Sequence, residues 1–167
     1  MKTTLPFILV LFLAFICFNA EAQKKKSPAA NASGEINGVE IVVDYHQPSA
    51  RGRDIMGGLV PYGKVWRTGA NNATTISFSE DVKVGGEELA AGTYSLFTIP
   101  GEDEWTIIFN SQTEIWGTQY SDDADVLRVD VSSAGTDEMV ETFEISVTDS
   151  GVALAWENTV VEIPVEK

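Results

Sequence analysis

Val140-Glu-Thr-Phe-Glu-Ile-Ser-Val147, followed by Asp149-Ser-Gly151 and Val152-Ala-Leu-Ala-Trp156, decides the fold. Phe143, Ile145 and Val147 alternate with Thr142, Glu144 and Ser146, while Val152, Leu154 and Trp156 share one face of the next run. A period of two sends successive side chains to opposite sides of a strand, so each run buries one face and wets the other. Asp149-Ser-Gly151 supplies turn chemistry between them. Glu157-Asn158 reads as another turn, into Thr159–Val165, with Val161, Ile163 and Val165 facing inward.

The pattern repeats upstream. Val39, Ile41, Val43 and Tyr45 fall on one face of a half-buried strand, and Thr74, Ile76 and Phe78 on one face of another. Val82-Lys-Val84 meets Gly85-Gly86, a hairpin signal. Gly92–Ile99, Trp105–Phe109 and Val126–Val131 read as further strands, separated by Pro100-Gly-Glu-Asp103 and by an acidic loop, Asp122-Asp-Ala-Asp125. No apolar period of 3.6 residues stands out after the first 22 residues, so helices are not expected. Short strands at near-regular spacing predict an all-β chain, a single antiparallel β-sandwich domain with a long irregular connection between early strands.

The ends bound the domain. Met1–Ala22 has the layout of a secretory signal peptide: Lys2, an apolar run from Leu5 to Phe18, and Ala20-Glu-Ala22 as a small-x-small cleavage site. That run is short of the ~20 residues a membrane span needs, and Ile16 before Cys17 does not suit a lipidation signal. Gln23–Gly34, rich in Lys, Ser, Ala and Asn, reads as a flexible leader, which leaves residues 35–167 as the sandwich. Export to the periplasm or the extracellular space is the expectation, with no stable membrane insertion of the mature chain. The sole Cys, Cys17, leaves with the signal, so no disulfide framework is available and packing must supply stability.

The chain holds 25 Asp and Glu against 11 Lys and Arg, a formal charge of −14. That balance opposes binding to nucleic acid or to anionic membranes. The one His after the signal, His46, has Ser49 and Asp44 only as neighbours around a turn, which gives no triad geometry, and no Gly-x-Ser-x-Gly elbow is present. One His and no Cys make a transition-metal site unexpected. Asp122-Asp-Ala-Asp125 lacks the glycine and closing Glu of a calcium loop and reads as a surface loop. No catalytic residue, metal ligand or cofactor is assigned.

Recognition chemistry concentrates instead between the early strands. Leu59-Val-Pro-Tyr-Gly-Lys-Val-Trp-Arg-Thr-Gly-Ala-Asn-Asn72 interrupts the strand pattern, and connections this long are often functional. If Lys64–Arg67 is extended, Trp66 and Arg67 point to opposite faces, one inward and one to a cleft or water. Arg51 and Arg53 share a face on the same reasoning. Tyr45, Arg51, Arg53, Trp66, Arg67, Asn71, Trp116 and Tyr120 are the candidate ligand-binding residues: guanidinium forks, aromatic walls and an amide suit a carbohydrate or a small polar or anionic ligand. The bland alternative is that each Trp is core and each Arg pins a loop. A structural or interaction module of the bacterial cell envelope, with a protein partner, is the second expectation, and a hydrolase using acidic residues the third.

Three runs are long and unusual: Val60-Pro-Tyr-Gly-Lys-Val-Trp-Arg-Thr-Gly-Ala-Asn71, Ala91-Gly-Thr-Tyr-Ser-Leu-Phe-Thr-Ile-Pro100 and Glu104-Trp-Thr-Ile-Ile-Phe-Asn110. With Tyr45, Pro48-Ser49, Arg51-Gly-Arg53, Trp116-Gly117 and Tyr120 they resemble the domain-of-unknown-function 2911 family of exported bacterial β-rich proteins. The resemblance is close over Tyr45–Val131 and looser over the last strands. It implies an exported all-β domain and no established activity. Met56-Gly57 departs from the pattern, standing where the family usually has an aromatic before glycine.

Overall fold

A computed structural model describes residues 27–167; the signal peptide read at 1–22 and the start of the leader, residues 23–26, lie outside the described residues. The chain is all-β. Its strands are β1 (Ala29–Ile36), β2 (Val39–His46), β3 (Thr74–Phe78), β4 (Val82–Val84), β5 (Glu87–Leu89), β6 (Gly92–Ile99), β7 (Glu104–Asn110), β8 (Asp125–Val147) and β9 (Gly151–Glu166). They form one antiparallel sheet in the order β1-β2-β3-β6-β7-β8-β9-β4-β5. A 3-10 turn at Asp122–Ala124 is the only helical piece among the described residues.

One strand lets this sheet close on itself. The first part of β8, Asp125–Ser132, pairs with β7, and from Ser133 onward β8 pairs with β9. The β1-β2 end then lies against the far end of β8. A Cβ on Gly34 of β1 would sit 2.8 Å from Cβ of Val147. The Tyr45 hydroxyl on β2 accepts from Ile145 N at 3.1 Å and donates to Ile145 O at 3.5 Å. Inward residues of both halves, such as Ile41, Val43 and Ile107 against Phe143, Leu154 and Ile163, belong to one buried cluster. The alternations at Val39–Tyr45 and Thr74–Phe78 are therefore the one-faced burial that the period of two predicted for an antiparallel sheet.

Three boundaries differ from the sequence reading, each for a physical reason. Gln23–Gly34 is not all leader: Ala29–Gly34 pairs residue for residue with β2 as part of β1. Its Ala, Asn and Ser side chains give almost no alternation, yet an edge strand needs only its backbone and a few buried positions, here Ala32 and Ile36. The turn that folds it back is Asn37-Gly38, at φ +50 and +86, a dipeptide made for two left-handed residues. Second, Val126–Val131 and Val140–Val147 are one continuous strand. Third, Glu157-Asn158 is not a turn. Glu157 takes φ +55 inside β9 while the β8 register slips at Gly135/Val140 and Val140/Glu144, so the irregularity is absorbed as bulges.

β6 buries both faces. Leu96 joins the main core, while Phe97 and Ile108 of β7 form a second small cluster on the outer face with Ala73, under Ile115 and Tyr120. That outer cover brings residues 115–120 beside the β2–β3 connection.

Replacing Tyr45 with Phe removes the acceptor for the Ile145 N–H at a buried site. The expected cost is about 1–3 kcal/mol, read as a lower midpoint in equilibrium urea unfolding with an unchanged slope. An unshifted midpoint would mean that closure of the sheet does not use this hydroxyl.

Candidate functional site

The connection between β2 and β3, residues 47–73, is ordered because its backbone finishes two strand edges. Its first part lies along β8: Phe143 N donates to Pro48 O (2.9 Å) and Ala50 N to Glu141 O (2.7 Å). The Ser49 and Thr142 hydroxyls meet at 3.1 Å. Further on, the Glu157 carboxylate accepts from Ile55 N and Met56 N, both at 3.3 Å. The β9 bulge at Glu157 thus aims an anchor at this loop. The second part continues the β6 edge beyond β3. Trp66 N donates to Thr98 O at 2.7 Å, Thr98 N to Trp66 O at 3.0 Å, and Gly63 N to Pro100 O at 2.8 Å. Backbone donors that a buried loop would leave unpaired are satisfied in this way.

Trp66 turns inward. Its indole stacks on Trp156 (5.8 Å, 20° between planes) and meets the rings of Phe143 (5.1 Å) and Trp105 (6.2 Å) steeply. Arg67 leaves the other side of the chain, as an extended Lys64–Arg67 requires. Thr68 then adopts φ +51, a strained angle for a β-branched residue. Buried contacts hold it: its hydroxyl donates to Thr98 Oγ1 (3.2 Å), and its carbonyl accepts from Thr74 Oγ1 (2.6 Å). Asn71 follows at φ +61, and its carbonyl accepts from Gly117 N at 3.0 Å. Gly117 is the seat of the Arg67 side chain. A Cβ there would lie 2.4 Å from Arg67 Cδ, 2.8 Å from Arg67 Cβ and 2.9 Å from Asn71 O.

These segments enclose a cleft of about 840 Å³. Trp66, Trp156, Val60 and Pro48 supply apolar lining; Arg51, Arg53, Arg67 and Ser27, Ser49, Thr118 and Tyr120 supply polar groups. Of the eight candidates from the sequence, Arg51, Arg53, Trp66, Arg67 and Tyr120 come together here. Three do not. Tyr45 is 5 % exposed, with its hydroxyl committed to Ile145 and Gln47. The Asn71 amide donates to Ser27 O, which ties down the start of the domain. Trp116 is exposed but lies outside the lining. Leu59, Val60, Val65, Gly117 and Trp156 also line the cleft and were not among the candidates, although all but Gly117 and Trp156 sit in the stretch singled out for the site.

The charge distribution in this cleft runs against the rest of the chain. Three of the four arginines line it, and no Asp or Glu among the described residues does, in a chain of net charge −14. Arg53 is locked by its own loop, Nε donating to Ala50 O (3.0 Å) and Nη2 to Ser49 O (2.8 Å). The Arg51 backbone N–H donates to the Glu141 carboxylate at 2.8 Å. Arg67 is half-buried, and its guanidinium has no hydrogen-bond or ion-pair partner among the described residues. Burying part of a charge without a partner is unfavourable, so the fork is left to solvent or to something that enters the cleft.

Tyr120 is held from behind. Its hydroxyl donates to Asp125 Oδ2 (2.6 Å) and accepts from Arg128 Nη2 (2.8 Å), while Arg128 also donates to Asp125 (2.9 Å) and Asn110 to the other carboxylate oxygen (2.8 Å). The ring packs on Phe97 at 4.9 Å. Burial, then the hydrogen bond and charge of Asp125, push the phenol up to about 12, with Arg128 opposing. A raised pKa favours the neutral form in the folded state. Its contribution is therefore whole below pH 10 and is lost as pH climbs from 10 towards 12. Tyrosinate absorbance should show one group titrating near pH 12 that vanishes in Tyr120→Phe, and the alkaline loss of stability should flatten in that variant. Gly117→Ala should cost about 1–3 kcal/mol through overpacking, with part of it recovered in the Gly117→Ala/Arg67→Ala double variant. Equal costs in both backgrounds would place the strain on the Asn71 carbonyl and the Cβ that alanine keeps at position 67 instead.

No curated protein and no solved structure matches the chain. One family model does, over residues 27–165, which takes in β1 to β8 entirely and β9 up to its last residue. It is described as "Protein of unknown function (DUF2911)", and with that match over most of its length the chain belongs to this family.

Proposed function

We propose that this protein is an exported binding module whose cleft takes a small anionic ligand held by Arg67. The observation that carries the reading is the half-buried Arg67 guanidinium without a protein partner, in a cleft with two more arginines and no carboxylate. A planar fork with its donors unspent is suited to a carboxylate or phosphate. Gly117 seats the Arg67 stem and the buried Thr68 fixes its backbone before any ligand arrives, which lowers the ordering cost of binding.

The geometry favours the anionic branch over a neutral carbohydrate. A sugar ring would need an open aromatic face, and the Trp66 indole already meets Trp156, Phe143 and Trp105. An acid-based hydrolase gains no support from a lining without Asp or Glu. The envelope interaction module keeps one specific observation in its favour, the exposed Trp116 at 49 % beside the cleft but outside it.

Thermal unfolding of residues 23–167 with carboxylates, phosphates and neutral sugars tests the reading. An anion present at about 100 times its dissociation constant should stabilise the fold by ~2.7 kcal/mol. Neutral sugars should give no shift. Arg67→Ala should abolish the anion response, with Arg67→Lys keeping a weaker one. A flat response to every anion would turn the assignment towards a protein partner at Trp116.

A further inference from the structure

The cleft is amphipathic, and its apolar half asks for an occupant as much as its arginines do. Leu59 is 49 % exposed and Val65 40 % exposed, and both line the cleft with the buried Val60 between them in sequence. They are not on a loose loop. Leu59 N donates to Asp54 O and Val60 N to Ile55 O in a tight turn, which the Glu157 carboxylate holds through Ile55 and Met56. Tyr62 packs over Gly57 so closely that a Cβ there would lie 2.8 Å from its ring. Val65 precedes Trp66, whose backbone is paired with Thr98. Rigid segments thus hold open apolar side chains along a cleft that also carries Arg51, Arg53 and Arg67.

Two other occupants fit less well. A peptide adding itself as a strand needs a free edge. The edges beside the cleft are already taken, by Pro48–Ala50 along β8 and by Gly63–Trp66 along β6. A flat base or sugar needs a stacking face, and the Trp66 indole is occupied by neighbouring rings.

We propose that the ligand is an anionic amphiphile, its carboxylate or phosphate on Arg67 and its aliphatic body along Leu59, Val60 and Val65. This rests on the anion-binding reading above and adds the apolar half of the ligand. The chemistry has no covalent step, and affinity comes from one charged fork plus buried methylene groups.

The experiment is calorimetric titration of residues 23–167 with butanoate, hexanoate and octanoate below their aggregation concentrations, and with octyl phosphate beside octanoate. Each methylene that is fully buried should tighten binding about fourfold, so octanoate should exceed butanoate by at least tenfold. Leu59→Asn should reduce that chain-length gain, weakening octanoate more than butanoate, and since Leu59 is half exposed its loss removes little packing. Arg67→Ala should weaken all of them. The octyl phosphate arm tells which headgroup is preferred. Affinity that depends on Arg67 but is the same for all three carboxylates would overturn the amphiphile and leave the anion reading standing. A chain-length gain that survives in Arg67→Ala would also overturn it, as adsorption to apolar surface. Absence of binding by these acids and by every simple anion would remove the anion reading itself.

Discussion

The packing of Trp66 is the contact on which core and cleft both depend. Its indole lies against Trp105 of β7, Phe143 of β8 and Trp156 of β9, while its backbone is paired with Thr98 of β6. Aromatic pairs of this kind add about 0.5–1.5 kcal/mol each beyond the area they bury. A loop residue thereby joins side chains from both halves of the sheet. The inward placement of Trp66 sets the outward placement of Arg67, because adjacent residues of an extended segment face opposite ways. The residue that closes one end of the core therefore fixes the direction in which the cation points.

Charge placement follows from the same frame. A chain of net charge −14 gains from keeping its acids dispersed in solvent. Around the cleft the acids that do approach are used from behind: Glu141 takes the Arg51 backbone N–H, Glu157 takes Ile55 and Met56, and Asp125 takes Tyr120 and Arg128. Each carboxylate spends its lone pairs on holding a wall, and none lines the cavity. The cleft thus collects three of the four arginines while the surrounding acids hold the structure that presents them.

Much of this was legible in the sequence, and the exceptions share a cause. Strands with one buried face were readable because burial and alternation are the same fact, as at Val39–Tyr45 and Thr74–Phe78. β1 was not, because an edge strand of Ala, Asn and Ser is held by backbone pairing that leaves little trace in side-chain type. Asn37-Gly38 was the one signal for it. Glu157-Asn158 looked like a turn because its residues suit left-handed angles, and Glu157 does take one; only the pairing with β8 shows that the chain goes straight on. At the site, residue type separated ligand-facing from structural groups poorly. Tyr45 and Asn71 have the chemistry of recognition and spend it on Ile145 and Ser27. Leu59 and Val65 have the chemistry of a core and stay open. Which way a side chain is spent depends on partners distant in sequence, and these cannot be read from the stretch itself.

The unusual backbone angles gather where the walls of the cleft are made. Of the five residues other than glycine at positive φ among the described residues, Arg51, Thr68 and Asn71 lie in the β2–β3 connection and Glu157 anchors it. Asn tolerates such an angle, but Thr68, branched at Cβ, does so at a cost of order 1–3 kcal/mol. A loop free to relax would lose that strain by moving Arg67. It is kept because Thr68 is buried between Thr98 and Thr74, with hydrogen bonds at 3.2 and 2.6 Å that a relaxed backbone would break. Gly117, pinned to Asn71, gives the Arg67 stem a surface that no larger residue could supply without displacing it. Strain held in this way fixes the Arg67 backbone and seats its stem over Gly117. A loop selected for stability alone would gain from a residue other than Thr at position 68 and from an acid beside Arg67.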